Sequence, residues 1–180
     1  MSFANPASAA TANAADYVRR LLELLGEREP FEVQEGMMAA LRAEVAGLSH
    51  EELTRPEAPG KWSTLEVVRH LADTEIVYGY RIRLILAEDS PAIPGYDQDA
   101  WARNLRYREA DLEASLRELE VLRAGNLALL RNLDEAAWER SGHHSERGEE
   151  SVRQIFRLVA AHDLVHRRQI RRIKAAHGLG

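Results

Sequence analysis

Apolar residues recur at three- and four-residue spacing through most of this chain, and that periodicity restricts its fold more than any other feature. In the last long segment, Ile155, Leu158, Val159, His162, His166, Gln169, Ile170 and Ile173 share one helical face. The same spacing puts Leu112, Leu116, Leu119, Leu122, Leu129 and Leu133 on one side of a second segment. Met37, Leu41, Val45 and Leu48 line a third, and "DYVRRLLELLG" reads as a shorter helix stopped by Gly26. Strand signals are nearly absent. Stripes of this kind, joined by mostly short connections, predict an all-α fold. The expected architecture is an antiparallel four-helix bundle with a longer crossover around residues 89–108.

Local signals set the boundaries. Ser63 with Glu66 three residues later is a capping box, opening a helix expected to run to Glu88. Ser151 with Gln154 is a second candidate, opening a helix to about His177 that Gly178 closes. Two further helices are expected over Val33–Ser49 and Glu109–Leu133, with a helical turn or two in "YDQDAWARNLRY". The proline–glycine stretch "TRPEAPGK" and the polar "SGHHSERGEE" read as loops. At 180 residues the chain fits one domain, expected over residues 15–180 behind a flexible tail at 1–14.

Composition removes several classes of function. A net charge of −5, with arginines interspersed among acids, argues against a nucleic-acid partner. No apolar run approaches the roughly 20 residues of a membrane span. The opening "MSFANPASAATANAAD" lacks the basic start and apolar core of a secretory signal, so a cytoplasmic location is expected. With no cysteine, the chain supplies no disulfide, thiolate ligand or catalytic thiol; any sulfur chemistry must use an external thiol.

The histidines carry the functional signal. His162 and His166 lie one turn apart on the inward stripe of their helix, so both rings can reach one point. His70 shares a face with Val67, Leu71, Thr74, Tyr78 and Arg81 on the capped helix. Burying three imidazoles without partners costs about 1–3 kcal/mol each. One divalent ion would satisfy all three, and three protein ligands with open positions is the pattern of a catalytic site. A core histidine bonded to a carbonyl or carboxylate is the competing reading. Asp163 follows His162, so the pattern is not HExxH and peptidase chemistry is disfavoured.

Taken in order, "PGKWSTLEVVRHLADTE", "YRIRLILAED", "GYDQDAW" and "HDLVHRRQI" resemble the DinB-like superfamily over roughly Met38 to Ala176. The resemblance is to its branch of metal-dependent hydrolases and thiol S-transferases. It implies a four-helix bundle holding zinc or nickel through three histidines, which fall on His70, His162 and His166, and it implies a homodimer. Some members of the superfamily transfer bacillithiol or mycothiol to electrophiles, and one related group performs thiol-dependent isomerisation. The expected activity is therefore metal-dependent transfer of a small external thiol such as bacillithiol to an electrophile. Alternatives are hydrolysis of a small substrate by metal-activated water, and stress-related metal binding without turnover.

Candidate substrate-binding residues are Tyr78 and Arg81 on the His70 face, Asp97 and Trp101 in the crossover, and His144 in the loop before the last helix. Arg81 could clamp a carboxylate or phosphate; its competing assignment is an ion pair with Glu75 or Glu88. Trp101 could instead anchor packing, and His144 could shuttle protons. Trp62 is expected to staple the start of its helix. His50, His143 and His177 look incidental, and Glu75 is left out of the catalytic set.

Overall fold

The computed structural model describes residues 10–179, with side chains from Ala14 onward. The tail expected at residues 1–14 lies outside the described residues as far as residue 9. Ala10 already opens helix α1 (Ala10–Leu25). Four helices form the bundle: α2 (Pro30–Val45), α4 (Thr64–Ala87), α6 (Leu112–Arg131) and α8 (Val152–Ala176). Short helices α3 (His50–Thr54), α5 (Gln98–Asn104) and α7 (Glu135–Glu139) lie in the connections. None of the described helices is long and apolar enough to cross a membrane.

The crossover determines how the bundle is strung. Leu65 and Leu71 of α4 cluster with Ile170 and Ile173 of α8, whereas Ile82 and Ile85 cluster with Ile155 and Phe156, so these helices run antiparallel. Arg69–Glu118, Glu75–Arg123 and Gly79–Asn126 advance together, so α4 and α6 run parallel. Only a long connection permits that, and residues 88–111 supply it. Tyr107 ties this connection down: its ring is fully buried and its hydroxyl donates to Asp73 Oδ2 at 2.5 Å. Gly79 permits the close α4–α6 approach, since a Cβ there would lie 2.6 Å from Asn126 Oδ1. Helix α1 covers α8 from outside, packing Leu21 and Leu25 against Leu158, Ala161 and Val165.

Two local expectations are corrected. The helix expected over Val33–Ser49 ends at Val45, because Gly47 turns with φ +75° and Ser49 begins something new. Ser49 accepts from Glu52 N–H while the Glu52 carboxylate accepts from Ser49 N–H, a capping box that opens α3. The polar stretch "SGHHSERGEE", expected as loop, forms a hairpin of β2 (Ser141–His144) and β3 (Gly148–Ser151). A parallel strand β1 (Ala92–Ile93) from the crossover pairs with β2. A Cβ on Gly142 would fall 2.8 Å from Pro91 O, so glycine is what lets β2 approach β1.

The capped start of α4 is as expected. Ser63 Oγ accepts from Glu66 N–H, and Glu66 Oε2 accepts from Ser63 N–H at 2.8 Å. At its other end, Arg140 donates to Ile85 O and Glu88 O at 2.9 and 2.7 Å, satisfying carbonyls that a helix C-terminus leaves bare.

Candidate metal centre

Because α4 and α8 run antiparallel, His70 meets His162 and His166 midway along the bundle, between the two apolar clusters that contain Leu71 and Val159. All three rings are buried. His162 Nε2 lies 3.2 Å from His70 Nε2 and 3.0 Å from His166 Nε2. The donor atoms of the trio fall within 4.8 Å of one another.

Those separations can be checked against a metal. Nitrogens about 2.0–2.1 Å from a tetrahedral zinc stand roughly 3.3 Å apart, close to the two observed distances. Without a cation, converging lone pairs repel, and one proton per imidazole cannot satisfy every facing pair. The Nδ1 atoms of His70 and His162 are buried with no hydrogen-bond partner among the described residues, so neither ring is held through its outer nitrogen, and the Thr74 hydroxyl reaches His70 only at Nε2, 3.4 Å away. For His166 the outer nitrogen is fixed: Nδ1–H donates to Gln169 Oε1 at 2.8 Å, which leaves the Nε2 lone pair facing the cluster. Burial pushes His166 down to about 4. Burial first, and neighbouring imidazoles second, push His70 and His162 well below the ordinary 6.5. Neutral imidazole is the metal-binding form.

The walls include three of the residues singled out for substrate, Tyr78, Arg81 and His144, together with Trp62, expected only to staple its helix. Trp62 lies 4.8 Å from His70, centroid to centroid, and stacks over His166 at an interplanar angle of 17°. On the other side, a cavity reaches His162 and is lined by Tyr78, Arg81, Tyr96 and His144. Tyr78 stands edge-on to His162. Arg81 forms no ion pair among the described residues; Glu75, one of its expected partners, is bound instead to Arg123 at 2.8 Å. Asp97 caps α5, accepting from Asp99 N–H and Ala100 N–H at 2.9 Å each. Trp101 packs on Tyr96 with ring centroids 4.8 Å apart and does not line the cavity. His144 does line it, carried there by the hairpin.

Sequence reasoning missed Tyr17, Tyr96 and Arg147, which also line the cavity. It also missed Arg123. This arginine is 3% exposed and bridges Glu75 and Asp163, while Asn126 donates to Glu75 Oε2 at 2.8 Å. Asp163 is thereby turned away from the imidazoles.

A buried imidazole trio on two antiparallel helices of a four-helix bundle is the arrangement of a candidate metal-binding helical protein. The DinB superfamily profile matches residues 35–170, and the chain belongs to that family. It is 40% identical over 101 residues to a protein of Geobacillus thermodenitrificans named "Putative metal-dependent hydrolase", covering 56% of this chain and 57% of that one. It is 34% identical over 115 residues to "Putative metal-dependent hydrolase YfiT" of Bacillus subtilis, covering 64% and 65%. Both alignments span less than two thirds of those relatives' own lengths. A relative of the same name class in Oceanobacillus iheyensis is 31% identical over 73% of this chain and 76% of its own. The solved structure of YfiT from Bacillus subtilis, described as "a probable metal-dependent hydrolase with an unusual four-helix bundle topology", superposes with a TM-score of 0.79 at 28% identity. That match covers 86% of this chain and 91% of the other.

Proposed function

We propose that this chain is a divalent-metal-dependent enzyme acting on a small molecule, with His70, His162 and His166 as the metal ligands and hydrolysis as the reaction. The convergence of the His70 and His166 Nε2 atoms on that of His162, at 3.2 and 3.0 Å inside the bundle, carries the proposal. When bound, the ion supplies Lewis acidity, which lowers the pKa of a water molecule and polarises a carbonyl. The residues of the chain do the rest. Trp62 and the apolar layer around Leu71 exclude bulk water from one side of the trio. Gln169 holds the His166 tautomer. The cavity at Tyr78 and Arg81 receives the substrate beside His162. In hydrolysis, water adds across an ester or amide to give an acid and an alcohol or amine.

Thiol transfer is the second reading, favoured by the absence of cysteine from all 180 residues, which leaves an external thiol as the source of sulfur. Elemental analysis of the purified protein beside His162→Ala tests the metal, with one equivalent expected in the first and none in the second. An ester and amide panel across pH, run beside bacillithiol with a haloaromatic electrophile, then separates the two reactions. Turnover that persists in His162→Ala would remove the metal from either.

A further inference from the structure

Two arginines, Arg81 buried and Arg147 part-buried, wall the cavity beside the imidazole trio, and they differ in how their charge is met. Arg147 is neutralised: Nε and Nη2 donate to both oxygens of the fully buried Glu150 at 2.6 and 2.8 Å. Arg81 is not. Although 3% exposed, it makes no ion pair among the described residues. Its Nη2 donates to Pro94 O at 2.8 Å, and its guanidinium lies 5.5 and 5.8 Å from the ring centres of Tyr78 and Tyr96. These contacts fix the guanidinium in place but leave its charge without a counter-ion. Glu150, whose field reaches Arg81, is already held by Arg147. Glu146 also lines the cavity, but as an exposed residue at its rim, where solvent screens it.

His144 adds a second donor. Its Nδ1 accepts from Glu146 N–H at 3.1 Å, so the neutral ring carries its proton on Nε2. The ring is 4% exposed, and Nε2 is buried with no partner among the described residues. It lines the same cavity as Arg81 and His162. Burial, reinforced by the positive charges of Arg147 and Arg81, pushes His144 down to about 4. At neutral pH it therefore offers a fixed N–H rather than a charge. An uncompensated guanidinium and an orphaned N–H facing one cavity are costly unless something accepts from both.

We infer that Arg81 and His144 together bind an anionic oxygen-acid group of the substrate, a carboxylate or a phosphate, and so hold the reacting bond beside the metal ligands. The metal-dependent reading supplies the second half of that statement, while the anion site itself stands without it.

The test is an NMR titration of the full chain, loaded with zinc and again after the metal is removed. Succinate, inorganic phosphate and the neutral succinamide serve as probes, and the Arg81 Nε–H and His144 Nε2–H resonances are followed. Succinate or phosphate is expected to saturate both resonances, whichever binds more tightly identifying the acid group, and succinamide is expected to move neither. R81Q should weaken binding by about 10- to 100-fold, as loss of a charged hydrogen bond does. H144N keeps an acceptor for Glu146 N–H but is too short to place its amide N–H where His144 Nε2 stands, and should weaken binding by about tenfold. H144Q, which restores a donor, should recover it. Equal binding of succinate and succinamide by the unmutated protein would overturn the inference whatever the variants do. So would an unchanged affinity in a folded R81Q. Anion binding that depends on Arg81 in a protein that takes up no stoichiometric zinc would show this site to be right and the metal reading wrong. Stoichiometric zinc with no response to Arg81 would show the reverse.

Discussion

Two polar clusters are buried side by side in this bundle, on neighbouring residues of the same two helices, and they are completed in opposite ways. Thr74 and His162 belong to the imidazole layer; Glu75 and Asp163, next in sequence, belong to the Arg123 network. Successive residues on a helix point about 100° apart, so one step along the chain moves a side chain from one cluster to the other. The Arg123 network completes itself by charge: one guanidinium, two carboxylates and an amide bind one another within α4, α6 and α8, and Arg123 also donates to Gln34 O of α2. Asp163 Oδ2, which accepts no hydrogen bond among the described residues, still pairs with Arg123 Nη1 at 2.9 Å. The histidine layer is open, since it contains lone pairs facing lone pairs and two Nδ1 atoms with no partner among the described residues. Burial of polar groups therefore does not by itself mark a functional site. What marks it is a cluster whose own members cannot complete it.

The sharpest way to break the contrast is His162→Ala, which should abolish the full equivalent of bound metal by elemental analysis. Retention of that equivalent would place the metal elsewhere. Arg123→Leu comes next. Removing the single cation strands two buried carboxylates and should cost about 3–5 kcal/mol in urea unfolding, with metal stoichiometry unchanged in the protein that folds. Swapped outcomes for these two substitutions would erase the distinction. Gln169→Ala probes the one ring whose outer nitrogen is held; metal affinity should fall about 10- to 100-fold, read by chelator competition, with little change in metal-free stability.

The smallest effect sets a baseline outside both clusters. His144 is depressed from 6.5 to about 4 in the folded chain, so the unfolded chain binds its proton first as pH falls. Its contribution to stability is fully present above 6.5 and is lost as pH falls from there toward 4. His144→Asn should flatten the urea midpoint against pH within that window. An identical slope in the two proteins would assign the acid sensitivity to other groups.

The long helices and the imidazole trio were legible in the sequence for one reason: both follow from a period of 3.6 residues. His162 and His166 share the stripe of Ile155 and Ile170, and His70 shares that of Leu71. Arg123 was not legible, because in "LRELEVLRAGN" it is one arginine among alternating charges, which reads as a solvated face. Its partners lie 48 and 40 residues away. The hairpin was invisible for another reason: its strands have no apolar alternation, and its approach to β1 depends on an absent side chain at Gly142. Trp62 was read locally, as a staple, whereas its ring covers two histidines brought together by the fold.

The two ligand-bearing helices are also far apart in time. His70 precedes His162 by 92 residues, and α8 is the last helix of the described chain. During synthesis, a nascent chain that has released α4 but not α8 holds only one member of the imidazole trio, His70. Products ending before residue 162 therefore lack two of the three ligands on which the proposed metal site depends.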